Sequence, residues 1–206
     1  MLIRTRRRTD DPVGLARTLV ADGCRVAIRP GATDDVGTLV DGLVAAGVAA
    51  SCEFDLSVDR YVTERPAGVD VALAGSPEAA DELAAANPRI RAVVVADEPG
   101  AEVRCAALAS RRVRLVRGGL VPGRRGSDLR FVRCLNVLMA GDGHPAIAAT
   151  DPRLIAIAGE RAAWNGRPPD SWEHVVPYGV RTEERQRLVA AGCAVRVAVR
   201  SGRGRA

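Results

Sequence analysis

No lysine occurs in this chain: all thirty basic residues are arginine. That removes Schiff-base and lysine general-base chemistry, whatever the fold. The accompanying abundance of Ala, Gly and Val points to coding bias more than to selection for guanidinium groups. The histidines are two, His144 and His174, and the five cysteines (Cys24, Cys52, Cys105, Cys134, Cys193) are scattered singly with no C-x-x-C pair. A zinc site is therefore not expected, and the cysteines read as buried thiols of a reducing cytoplasm. Arginines cluster at the ends, at Arg4, Arg6, Arg7 and Arg8 and again at Arg200, Arg203 and Arg205. Such tails touch nucleic acid or anionic lipid in some proteins. Frayed, solvated ends over 1–10 and 200–206 are the favoured reading, because the aromatic interleaving of single-strand binders is absent. Gly141-Asp142-Gly143 has a phosphate-loop look, but it follows a helix and is weak evidence.

The elements that would position any site are periodic. β-branched runs alternate with Ala/Leu-rich helical segments, the signature of repeated strand–helix units. Eight candidate strands lie at 25–29, 49–55, 69–73, 92–96, 113–117, 146–149, 173–176 and 195–199. Helices are expected at 34–46, 77–86, 101–109, 128–140, 152–165 and 182–191. Ser76-Pro77 and Asp151-Pro152 place a capping residue before a proline at the first helical position. Gly47 and Gly192 stand where a left-handed C-terminal glycine belongs, and Thr182 with two following glutamates suits a helix start.

Residues 56–68 are too short for a full second helix, and no helix follows the eighth strand. With 206 residues and aromatics at only 3%, one solid domain built from small aliphatic side chains is expected. Eight parallel strands point to a closed (βα)8 barrel with its second helix reduced and its eighth missing. An open doubly wound sheet is the runner-up, but no G-x-G-x-x-G is present. No apolar run is long enough for a membrane helix, and no apolar stretch follows the first arginines as in a signal peptide.

Several ordered motifs resemble one family. VRLVRGG from Val113 and FVRCLNVLMAGDGHP from Phe131 are similar to the fifth barrel unit of bacterial proline dehydrogenases. AATDPRLI from Ala148 resembles that family's A-T-H-D-x-R-L-I. WEHVVPYGVR from Trp172, with ERQRL from Glu184, resembles its F-x-Q-M-L-Y-G-V-R and E-x-Q-R-x-L, and GCAVRVAV resembles its eighth strand. The resemblance implies FAD at the C-terminal mouth of a (βα)8 barrel and hydride transfer from proline, or a related amine or imino acid, to the flavin.

Carried over residue by residue, the resemblance assigns Arg114, Arg117 and Thr150 to the cofactor and Tyr178 to the substrate. Arg114 matches the family's strand-five arginine, with an ordinary strand arginine as the alternative. Arg117 stands for the lysine of K-G-A-Y, and Leu120 replaces its tyrosine. Ala149 and Thr150 replace the threonine and histidine of A-T-H-D, and Asp151 doubles as a helix cap. Pro177 precedes Tyr178 in place of leucine and restricts how the ring is aimed. His174 reads as a packed or exposed ring. Glu53 falls where the family has a lysine. With Asp55 and Asp97 it forms either an acidic cluster at the mouth or, as favoured, solvated loop carboxylates.

The family's Y-x-x-R-R-x-x-E helix, whose arginines grip the proline carboxylate, is absent from the chain. Two lost charge-assisted bonds would weaken proline binding roughly a thousandfold. The expectation is therefore a cytoplasmic, proline-dehydrogenase-like flavoprotein of weak or lost activity, with no catalytic residue assigned. The alternative is a non-catalytic barrel serving as a remnant or an interaction protein. A partner or second copy would then cover the place of the missing helix.

Overall fold

The structure, a computed structural model, describes residues 8–118 and 125–202. Arg4, Arg6, Arg7, Leu120, Arg203 and Arg205 lie outside the described residues. The strands are β1 (Arg8–Thr9), β2 (Arg25–Arg29), β3 (Cys52–Ser57), β4 (Asp70–Ala74), β5 (Ile90–Val95), β6 (Arg112–Val116), β7 (His144–Ala148), β8 (Glu173–Pro177) and β9 (Val195–Ser201). The helices are α1 (Pro12–Ala21), α2 (Val36–Ala45), α3 (Val58–Glu64), α4 (Pro77–Ala86), α5 (Ala101–Ala107), α6 (Arg125–Ala140), α7 (Pro152–Trp164) and α8 (Thr182–Ala190).

Strands β2 to β9 pair in parallel, each with its successor, and β9 pairs back to β2. The register measures the closure. One circuit runs Ala27–Glu53, Glu53–Asp70, Ala72–Arg91, Val93–Arg114, Arg114–Ala146, Ala146–Glu173, Val175–Arg196, Ala198–Ala27. It needs four climbs of two residues (Asp70 to Ala72, Arg91 to Val93, Glu173 to Val175, Arg196 to Ala198), a stagger of eight. Eight strands with that stagger form the TIM-type barrel, whose lumen is filled by side chains.

Outward-facing Val, Ile, Leu and Phe side chains, such as Val26, Phe54, Leu115 and Ile147, pack against the helices in one continuous core. Four of the end signals behave as their chemistry requires and two do not. Asp11 and Asp151 accept from Gly14 and Arg153 N–H at 2.8 and 2.9 Å. Gly47 and Gly192 adopt φ of +71° and +77°. Ser76 holds its N-cap position without a capping bond and reaches Glu78 instead. At α8 the cap position belongs to Arg181, at φ +54°, and not to a threonine hydroxyl.

Helix α3 is the reduced unit foreseen from 56–68. The place of the missing helix is filled, which corrects the expectation of a bare surface awaiting a partner. Helix α1 precedes the first barrel strand and packs on both β2 and β9. Ala16 and Leu19 enter the core there. The arginine-rich ends are also partly built in: Arg8 and Thr9 pair with Arg200 and Ser201 as β1 on β9. Among the described residues no helix is long and apolar enough to cross a membrane.

Two measurements check this packing. Leu19, 2% exposed, is expected to cost about 2–5 kcal/mol when replaced by Ala, read from denaturant unfolding. A smaller loss would mean α1 is not integral. The His174 ring packs tilted against Trp172, centroids 4.4 Å apart, and burial lowers its pKa to about 4. Unfolded, it binds a proton near 6.5, so its contribution is lost as pH falls from about 6.5 to 4. Wild type should therefore lose about 3 kcal/mol relative to His174→Phe across that window. An unchanged difference would contradict a neutral buried ring.

Candidate functional site

Charges recur at every second residue of the barrel strands, so they share the inner face. The inward positions carry Arg25, Arg29, Arg91, Arg112, Arg114, Arg196 and Arg200 against Glu53, Asp55, Asp70 and Glu173. Seven guanidinium groups thus meet four carboxylates in one lumen. The lower lumen is a continuous ion-pair network. Glu173 accepts from Arg91 at 2.7 Å, Arg196 at 2.9 Å and Arg25 at 3.2 Å. Glu53 accepts from Arg91 at 3.2 Å and pairs with Arg114, which also reaches Asp55. Arg112 meets Asp70 at 2.8 Å. Backbone carbonyls take the remaining donors: Arg91 bonds His144 O at 2.9 Å and Arg196 bonds Val26 O at 3.0 Å. Above and between these charges the lumen is lined by small side chains, among them Ala72, Ala146, Ala148 and Ala198.

Burial would raise the Glu173 carboxyl, but the Arg196 and Arg91 charges overcome it and hold Glu173 well below the carboxylate range. Burial lifts Asp55 to about 6 against the pull of Arg29 and Arg196. Burial also draws Arg91 and Arg114 down to about 9, still cationic at neutral pH.

The C-terminal mouth is where such barrels carry chemistry. Arg29 and Arg200 stand opposite one another on β2 and β9, and Arg8 opposes Arg200 from β1. Arg29 Nη2 is buried with no hydrogen-bond partner. The loop after β2 is held from below and beside: Arg60 donates to Gly31 O at 2.9 Å and Asp34 O at 2.6 Å, and Asp34 accepts from Gly31 N–H at 2.7 Å. At the opposite rim Arg117 pairs with Asp128 at 2.6 Å. Next to it Gly118 has φ +80°, and a Cβ there would lie 2.7 Å from Val95. Thr150 is exposed, and its carbonyl accepts from Arg181 at 3.1 Å.

The residues assigned from the sequence do not converge. Arg117 and Thr150 share the rim, at the ends of adjacent strands β6 and β7. Arg114 lies beneath them, sealed in the lumen on Glu53 and Asp55. Tyr178 continues β8 one residue past the inward-facing Pro177 and packs against the helix-side core. Glu53 and Asp55 are 0% and 4% exposed, so they are neither a mouth cluster nor solvated. Asp97 stands apart from them, near Arg130. Gly141 and Gly143 serve close packing, since a Cβ on either would lie within 2.4 Å of a carbonyl of Ala109 or Arg111. Sequence reading overlooked Arg29 and Arg200. The signal was present in their equal two-residue spacing from inward neighbours.

The fold and its mouth thus define a TIM-type barrel of the sort that carries a site at the strand ends. No family model matches the chain. Its sequence is 29% identical to proline dehydrogenase 1 of Bacillus subtilis over 97 residues, 44% of this chain and 32% of that protein. The chain therefore spans about a third of that relative's length. Among solved structures, proline utilization A from Bdellovibrio bacteriovorus, inactivated by N-propargylglycine, superposes with TM-score 0.78 over 96% of this chain and 30% of its own, at 15% identity. A variant of proline utilization A from Bradyrhizobium japonicum gives 0.59 over 86% of this chain and 27% of its own, at 18% identity. The barrel shares its fold with the matched part of these proline utilization A structures.

The rim and the lumen present their polar groups differently. Arg117, Gly118 and the exposed Thr150 leave polar groups at neighbouring strand ends, while Arg114 is held below by two carboxylates. Replacing Glu173 by Gln tests the network that holds it. Three arginines would lose their shared anion in a dry interior, at a cost of about 3–5 kcal/mol. A fall in Tm on the order of 10 °C is expected from calorimetry; an unchanged Tm would mean water reaches the lumen.

Proposed function

We propose that the chain is a proline-dehydrogenase-type oxidoreductase barrel in which proline oxidation is weak or lost. The observation that carries this is the burial of Arg114 on Glu53 and Asp55. The residue that resemblance gives to the flavin is here spent on neutralising the barrel interior. Tyr178 faces the helices, so the substrate side lacks its expected phenol as well. The likeness in sequence and fold supports the class of reaction, with a small amine or imino acid as donor.

Arg117 and Thr150 would hold FAD at the rim; when bound, FAD supplies the hydride acceptor. Arg117 would present its guanidinium to an anionic part of the cofactor at the expense of Asp128, since one planar fork serves one partner at a time. Thr150 would donate its hydroxyl. Neither residue can take a proton from an amine at neutral pH, because an arginine is already protonated and a threonine hydroxyl is far too weak a base. Arg117 and Thr150 thus contribute position and no proton transfer, and a low rate follows.

Flavin titration, read by the visible absorption band, is expected to saturate, and Arg117→Ala to weaken it about tenfold. Anaerobic L-proline should bleach the bound flavin slowly or not at all. Rapid, stoichiometric bleaching would contradict lost activity, and no flavin uptake at any concentration would favour the non-catalytic alternative.

A further inference from the structure

We infer that the mouth of this barrel binds an oxyanion, a carboxylate or a phosphate group, between Arg29 and Arg200. The site needs no flavin and uses none of the residues given to one above.

The charge inventory of the lumen is the starting point. Five of its seven arginines have carboxylate partners in the ion-pair network. The surplus lies at the mouth. Arg29 and Arg200 make no side-chain hydrogen bond or ion pair among the described residues. They are register partners on adjacent strands, about 5 Å apart at the backbone, and like charges so placed repel one another. Arg8 pairs with Arg200 from β1, which brings a third guanidinium to the same face. Arg29 adds a stronger mark: its Nη2 is buried and unpartnered. A rim arginine with no ligand ordinarily keeps its head in water, and buried donors left unmade are rare.

Two neighbouring guanidinium groups are a donor set that matches the two or three oxygens of a carboxylate or phosphate. The arrangement is also held ready. Arg60 bonds three loop carbonyls after Arg29, at Pro30, Gly31 and Asp34, so ordering the loop costs little on binding. Asp55, the acid whose field Arg29 feels, is already engaged by Arg114. Small side chains, Ala27 and Ala198, occupy the previous inward positions of the same strands, so no bulky neighbour there fills the face the pair shares.

The test is thermal unfolding of wild type, Arg29→Gln and Arg200→Gln in sodium phosphate, sodium acetate and sodium chloride at equal ionic strength, without flavin or proline. Wild type should gain on the order of 5–10 °C in phosphate or acetate over chloride, at a concentration a hundredfold above Kd. Phosphate alone would mark a phosphate-bearing ligand, acetate alone a carboxylate, and either supports the site. Both variants should lose that gain. In dilute buffer without oxyanion, Arg200→Gln should melt above wild type, because one of two opposed cations is gone; a merely structural arginine would melt below it. Should Arg29→Gln fail to fold, Arg200→Gln carries the test alone. Equal Tm in all three salts, or an undiminished gain in Arg200→Gln, would overturn the proposal. Because no flavin is present, that failure is distinct from a failure of the oxidoreductase reading.

Discussion

A carboxylate sealed inside a β-barrel must find cations at hydrogen-bonding distance or give up its charge. Glu173 and Glu53, both fully buried, meet that demand through Arg91, Arg114, Arg196 and Arg25. The solution ties together strands that are far apart in sequence. Arg91 alone joins β5 to β3 through Glu53, to β8 through Glu173 and to β7 through the His144 carbonyl. A lumen closed by such links resists shear between strands, because a slip of one pair would strand several charges at once. The same links set the chemistry of the mouth, since they decide which guanidinium groups remain to face a ligand.

The strands and most helices were legible because their signals are local. A capping aspartate before proline, a glycine after the last helical turn and alternating β-branched runs each act within a few residues. Asp11-Pro12 repeats the device of Asp151-Pro152 and announces α1, yet it lay beside an arginine-rich stretch read as a loose end. The filling of the lumen was less legible. Its parts, such as Glu53 and Arg91, sit 38 residues apart, and only the register brings them together. Even so, the two-residue period of Arg25-x-Ala27-x-Arg29 and Arg112-x-Arg114 marks those arginines as sharing a face. Tyr178 failed by the same rule: one residue past the inward Pro177, it faces the helices.

Placement of the eighth helix position carries a further lesson. Helix α1 covers β2 and β9 from the N-terminal side of the sequence, so the ring of helices is complete around the described barrel. The wall of β2 and β9 is thereby buried by a helix that precedes the barrel strands in sequence. The mouth itself has two unlike sides. One, at the ends of β6 and β7, presents Arg117 and Thr150; the other, at β2 and β9, presents opposed arginines.

The central claim is that Arg114 belongs to the barrel interior and not to a ligand. A double-mutant cycle of Arg114→Met and Glu53→Gln measures it most directly, by denaturant unfolding of the two single variants, the pair and wild type. The predicted coupling is at least about 2 kcal/mol, with the double variant more stable than the sum of the single losses implies. Additive losses, with coupling near zero, would mean that Arg114 and Glu53 do not hold one another and would contradict the account.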